Sequence, residues 1–323
     1  MSEPLRPIPA SSLPLSAQAP GKCIVFGEHA VVHGAPELVF AVDLMTQVFV
    51  SEATATRLNA DAAAREHNPY FRSALELAWH GRPSVEVRTV SRIPKAAGLG
   101  SSAAFAAALT AAFSSASGGL DRASLAQRSF EVERGAQGVG SPGDTSTVVA
   151  GGFVAVNGGP GEPIWTIRSP DQRWEVRRVP DPGWVWVVAY SGVPRSTADA
   201  VRAVSARLHA SGGSELLAEF RRVATEGIDA VGRGDRPTVA SLLARNQELL
   251  REVGVSHPRL EALIEAARPA AEACKITGAG AGGSVVALPV PGKETELVRR
   301  LARAGALPFV VRPVGEGAAL VDA

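Results

Sequence analysis

The residues with the most chemical content lie between Pro94 and Ala104, in the run PKAAGLGSSAA. Gly98 and Gly100 let a backbone pass close to a ligand, and Ser101 and Ser102 carry hydroxyls that suit a phosphate oxygen or a metal ion. The stretch Ala103 to Ala112 follows without Pro or Gly, which predicts a helix. A loop that feeds a helix N-terminus presents free N–H groups and the positive end of the helix dipole, and both favour an anion. The run is therefore a candidate phosphate-binding loop; the plainer reading is a Gly/Ser helix entry with no ligand. It is not a Walker loop, because no Lys follows Gly100, and it lacks the third glycine of the dinucleotide fingerprint.

Two further glycine-bearing segments stand far away in the chain, APGKCIVFGEHAVVHG at 19–34 and TGAGAGGS at 277–284. Of the 33 basic residues only four are lysines, and three of those, Lys22, Lys95 and Lys275, fall at or beside the three glycine-bearing segments. A compact ammonium makes a point contact to phosphate that the planar arginine fork does not reproduce. Each segment read alone is a turn; their joint occurrence with the lysines points to an anionic ligand.

The elements that must position these residues alternate between strand and helix. Lys22–Val25, 38–50, 84–90 and 184–190 read as strands, as do the arms flanking the 277–284 glycines. Helices are expected over 61–80, 103–113, from an Asp121 cap to Gly135, near 197–211, 214–232, 236–252 and 258–272, and at 293–304 before a strand at 308–314. The 103–113 helix is apolar on nearly every face and is expected between layers. Residues 138–147 read as a loop before a strand near 147–156, and 158–183 as loop with one strand. Without a strict βαβ rhythm the class is α+β, with the composition break at 157–185 marking a domain boundary.

Composition narrows the function. The chain has 323 residues, 46% hydrophobic and 20% charged, and a net charge of +1. That excludes a basic nucleic-acid footprint or a polybasic membrane patch, and no apolar run is long enough to cross a membrane. The Pro- and Ser-rich segment 1–17 is expected to be a disordered tail and is not a secretory signal, which puts the protein in the cytoplasm. Cys23 and Cys274 read as buried free thiols, and no CxxC or HExxH pattern offers a protein-caged metal.

At this point the chain resembles the GHMP kinase superfamily, whose members carry three such motifs in this order. APGK…GEHAVVHG is similar to the mevalonate kinase form of the first motif, QGVGSPGDTST at 137–147 to the archaeal-type version, and SGVPRST at 191–197 to a segment opening the second domain. The resemblance implies two α+β domains, 18–185 (ribosomal protein S5 domain 2-like) and 186–323 (ferredoxin-like), with the active site between them. It implies phosphorylation of an alcohol with ATP and Mg²⁺, the acceptor being mevalonate; phosphomevalonate, the 3-hydroxyl of mevalonate, homoserine, or a non-catalytic sensor remain alternatives. Related enzymes are often homodimers.

The implied roles fall on named positions. Lys95, Gly98, Leu99, Gly100, Ser101, Ser102 and Ala103 would bind ATP, Ser102 and Glu133 the metal, and Asp144 with Lys22 would be catalytic. Glu133 stands eleven residues before Asp144, and Glu131, off that spacing, is expected to be solvated. Glu28, His29, Arg195, Thr197, Gly278 and Ala279 would face the acceptor. The sequence departs from the family at Ala96, Ala97 and Ala281, where glycine is usual, and at Phe105, where Tyr is frequent.

Overall fold

The computed structural model describes residue 8, residues 10–194 and residues 197–322. Strands β1 (Leu15–Phe26), β2 (Glu37–Glu52), β3 (Arg57–Leu58), β4 (Val85–Ser91), β5 (Phe153–Val156), β6 (Trp165–Arg168) and β7 (Arg173–Val179) form one sheet. Strands β8 (Trp186–Tyr190), β9 (Ala271–Thr277), β10 (Ser284–Pro289) and β11 (Leu307–Val311) form a second. The last strand, β12 (Ala319–Val321), returns to the first sheet and pairs with β1. The first sheet runs β12-β1-β2-β5-β7-β6, with β4 beside the distal half of β2 and β3 parallel to β4; every other pairing is antiparallel. The second runs β11-β8-β10-β9, which is the ferredoxin-like order, and the class is the expected α+β.

The helices are α1 (Ala64–His67), α2 (Pro69–Ala78), α3 (Ser101–Ser115), α4 (Arg122–Gln137), α5 (Pro142–Ala150), α6 (Thr197–His209), α7 (Gly213–Arg233), α8 (Arg236–Glu252), α9 (Pro258–Ala267) and α10 (Glu294–Arg303). Helix α3 is buried on all faces from Ala106 to Ser115 because its alanines let β1, β2, α2, α4 and α5 pack around it. Strand β1 is buried on both faces for almost its whole length. It carries a register shift at Pro20/Gly21, which turns its second half toward the 94–104 loop. Helix α4 starts as expected at Asp121, whose carboxylate accepts from the Ser124 amide at 2.9 Å, and ends at Gly138 with φ +79°.

Several expectations are corrected. Residues 142–150, read as loop and strand start, are the helix α5: Ser141 caps it through its side chain and Pro142 fills the first turn. The turn residues of SPGD are helix-start residues here. The segment 158–183 holds a hairpin, β6 and β7, instead of one strand. Helix α9 stops at Ala267, since residues 271–277 pair with β10 as the edge of the second sheet. The expected tail 1–17 is ordered in part: Ile8 exchanges backbone hydrogen bonds of 2.8 and 3.0 Å with Leu120, and β1 begins at Leu15. Glu131 is half-buried and accepts from Gln127 Nε2 at 2.8 Å, so it is not simply solvated.

One helix–sheet contact sets a tight steric limit. Gly227 on α7 lies against the fully buried Phe26, and a Cβ there would meet the ring at 2.5 Å. In an open helical site Gly→Ala gains about 1 kcal/mol. Here the sign reverses: Gly227→Ala is expected to destabilise the chain by about 1–3 kcal/mol through overpacking, read from urea unfolding.

Candidate active site

Close approach of two backbone segments builds the centre of the site. The amide of Lys22 on β1 donates to the carbonyl of Leu99 at 2.9 Å. A Cβ on Gly21 would meet that carbonyl at 2.8 Å, and one on Gly100 would meet the Lys22 side chain at 2.6 Å. Both glycines are therefore required for the lysine stem to lie along the loop. Gly100 also has φ +76°, which glycine adopts without strain. Helix α3 begins at Ser101, and its first internal bond runs from Ala104 N to Gly100 O. That leaves the amides of Ser101, Ser102 and Ala103 outside the helix ladder, at the positive end of the dipole.

Lys22 Nζ lies 2.9 Å from Asp144 Oδ1, with the lysine side chain 3% exposed and the aspartate 17%. Asp144 sits in the first turn of α5, where its own amide is capped by Ser141 Oγ at 3.1 Å. The N-terminal dipole of α5 and the ammonium both set positive charge beside this carboxyl. On the other side of the cavity Ser102 Oγ donates to Glu133 Oε1 at 3.3 Å, and Glu133 Oε2 accepts the Ser141 amide at 3.1 Å. Ser141 thus ties the turn bearing Asp144 to the helix bearing Glu133. Burial, and then the Asp144 charge, push the Glu133 carboxyl up to about 7.

These groups line one cavity of about 590 Å³, together with Lys95, Ala96, Gly98, Glu28, His29, Gly278 and Ala279. Lys95 is exposed at its rim. The second sheet closes one wall through side chains that reach back to the first motif. The Lys275 ammonium pairs with Glu28 Oε1, both fully buried. Thr277 Oγ1 donates to the Ile24 carbonyl at 2.9 Å and accepts its amide at 3.1 Å. His29 Nε2 is 3.0 Å from the Ala279 carbonyl, and Ser284 Oγ donates to the Ala97 carbonyl at 2.7 Å.

The structure therefore brings together Lys22, Asp144, Ser102, Glu133, Glu28, His29, Gly278, Ala279 and the 94–102 loop. Leu99 and Ala103, expected at the nucleotide, have side chains buried in the core and off the cavity lining; only their backbone faces the loop. Arg195 lies outside the described residues, as does the side chain of Thr197 at the start of α6. Two departures noted in the sequence acquire a physical meaning: Ala96 has φ +56° and Ala281 φ +55°, left-handed conformations that glycine reaches more easily.

Sequence reasoning missed Glu37 and Tyr70. Both line the cavity. Tyr70 hydrogen-bonds with Ser102 and Gln137, and burial pushes its hydroxyl up to about 12. The signal for Glu37 was a single carboxylate opening the apolar strand ELVFAV. Among the described residues no cluster of three or more His, Cys, Asp or Glu is arranged to hold a metal, and no helix is long and apolar enough to cross a membrane.

Comparison with known proteins follows the geometry. The family model of the GHMP kinases N terminal domain matches residues 63–152, and that of the GHMP kinases C terminal matches 228–307. The mevalonate kinase of Pyrococcus horikoshii is 31% identical across 93% of this chain and 96% of its own length. That of Methanothermobacter thermautotrophicus is 31% identical over 89% and 94%. The crystal structure of L. major mevalonate kinase in complex with R-mevalonate has the same fold, with a TM-score of 0.79 at 20% identity over 97% of this chain and 99% of that one.

Two outcomes test the electrostatics. Lys275→Met leaves the Glu28 charge buried and uncompensated, and is expected to cost about 3–5 kcal/mol in urea unfolding, while Lys275→Met with Glu28→Gln recovers most of the loss. Glu133 keeps its proton in the folded chain up to about 7 against an ordinary 4.5, so folding stability declines as pH rises through that window. Glu133→Gln removes this decline, and its thermal midpoint is expected to rise relative to the wild type between those pH values.

Proposed function

Because this chain belongs to the GHMP kinase family, we propose that it transfers the γ-phosphoryl group of ATP to the 5-hydroxyl of mevalonate, giving 5-phosphomevalonate and ADP for isoprenoid precursor synthesis. The observation that carries the reaction type is the Lys22–Asp144 pair, held at 2.9 Å beside the free amides at the start of α3. The acceptor is supported by relatives named mevalonate kinase that align along most of the chain.

Phosphoryl transfer passes through a loose transition state with charge on the equatorial oxygens, so catalysis is mostly positioning and charge neutralisation. The loop from Lys95 to Ser102 wraps the phosphates with amides, and the α3 dipole faces them. Asp144 accepts the acceptor's proton as its oxygen bonds to phosphorus and the bond to ADP breaks. Lys22 holds Asp144 in place and neutralises charge on the transferring group. The hydroxyl of Ser102 and the carboxylate of Glu133 are adjacent hard-oxygen donors and fit Mg²⁺, which when bound would neutralise phosphate charge. Glu28, His29, Gly278 and Ala279 form the acceptor wall. The buried, free thiols Cys23 and Cys274 suit the reducing cytoplasm, where we place the protein.

The test is ADP release with ATP, Mg²⁺ and mevalonate, alongside 5-phosphomevalonate and homoserine. Turnover on mevalonate with phosphate on the 5-oxygen is expected. Asp144→Asn should lower kcat by about 10²–10⁴ while ATP still binds. Preference for another alcohol would replace the acceptor and keep the reaction type; ATP binding without turnover on any of them would remove both.

A further inference from the structure

Glu37 has no part in the reaction as described, yet it is buried in its centre. It is the first residue of β2, fixed by pairing with Val156 of β5, and is only 2% exposed. Its side chain lines the same cavity as Lys22 and Asp144, and its Oε2 has no hydrogen-bond partner. The carboxyl packs on the backbone of Gly143, the residue before Asp144, where a Cβ would overlap it. Glycine at 143 thus makes room for the Glu37 carboxyl within the first turn of α5. A buried polar group without a partner is expensive, and an unpaired one in a ligand cavity marks a contact completed by the ligand.

Four charged groups face it: Asp144 from α5, Lys22 from β1, Glu28 from the turn after β1 and Lys275 from β9. The two ammoniums are already committed, Lys22 to Asp144 and Lys275 to Glu28. No cation is left to Glu37 among these neighbours. Burial, and then repulsion from Asp144, hold its carboxyl well above the usual range, which favours the protonated form. A neutral carboxyl is a hydrogen-bond donor as well as an acceptor.

We propose that Glu37 is an acceptor-binding residue whose carboxyl, seated on Gly143 beside Asp144 with Oε2 unpartnered, hydrogen-bonds to an oxygen of the bound alcohol substrate. The contact orients the substrate so that the reacting hydroxyl meets Asp144. A proton on Glu37 also spares an anionic acceptor a further negative charge in the cavity. This inference rests on the phosphotransfer reading above.

The experiment compares wild type, Glu37→Gln and Glu37→Ala in the ADP-release assay with ATP, Mg²⁺ and mevalonate from neutral to alkaline pH, with thermal melts to verify folding. The alanine variant is expected to raise the acceptor KM about tenfold and leave the ATP KM unchanged, the size expected for one lost hydrogen bond in a dry site. The glutamine variant, whose amide still donates, should stay close to the wild type. Wild-type kcat/KM for mevalonate should fall as pH rises through the raised titration of this carboxyl, and this limb should be absent in Glu37→Gln. The inference is overturned if Glu37→Ala keeps the wild-type acceptor KM, if Glu37→Gln is as impaired as Glu37→Ala, or if the ATP KM moves equally. The wild type in the same assay separates the two readings: its silence on mevalonate sinks the phosphotransfer reading and this inference together, whereas wild-type turnover matched by Glu37→Ala sinks the inference alone.

Discussion

Burying charge is the constraint on which this structure turns. Lys22, Glu28, Glu37, Glu133 and Lys275 are all within a few per cent of full burial, clustered around a cavity that also holds Asp144. Each is costly to desolvate alone, and each is answered differently. Lys22 is matched by Asp144 and Lys275 by Glu28. Glu133 takes a serine hydroxyl and a backbone amide, and its affinity for a proton rises. The arrangement keeps an ammonium and a carboxylate in contact beside the cavity, with the ammonium stem buried.

The Lys275–Glu28 pair also holds the two sheets to one another. Lys275 and Thr277 belong to β9, while Ile24 belongs to β1 and Glu28 to the turn after it; Ser284 of β10 reaches the 94–104 loop at Ala97. One wall of the cavity is therefore made where the sheets meet, and neither sheet supplies it alone. The final strand β12 returns from the second sheet to pair with the start of β1, at Ser16 to Gln18. Backbone strain gathers where the sheets meet. His29, Ala96 and Ala281 all have positive φ without being glycine, and all three lie in the three glycine-bearing segments. Side chains in that conformation persist only where their surroundings over-determine them, which is the behaviour of a pre-organised site.

Much of the α+β architecture was legible in the residues. Alternating apolar runs located most strands, and Asp121 and the alanine run placed the starts of α4 and α3, while α4 runs past the expected Gly135 to a cap at Gly138. What misled was local chemistry with two meanings. In SPGDTST the same Ser, Pro, Gly and Asp that mark a turn also start a helix, and only packing of Val148 and Val149 into the core decides for α5. The strand β12 carries no strong pattern, and its existence depends on β1 offering a free edge.

For the site, Glu133 and Asp144 were marked by resemblance to the family, while residue types and order along the chain marked two motifs, a glycine loop before a helix and a lysine in a glycine-bearing strand. Those are properties of local backbone freedom and of covalent spacing, and they survive without coordinates. Tertiary structure alone decided which groups touch. It set Lys22 against Asp144 across 122 positions of sequence, turned Leu99 and Ala103 into the core, and placed Glu37 beside Gly143. The physical reason is range: propensity and capping act over a few residues, whereas burial and charge pairing depend on neighbours that only the folded chain assembles.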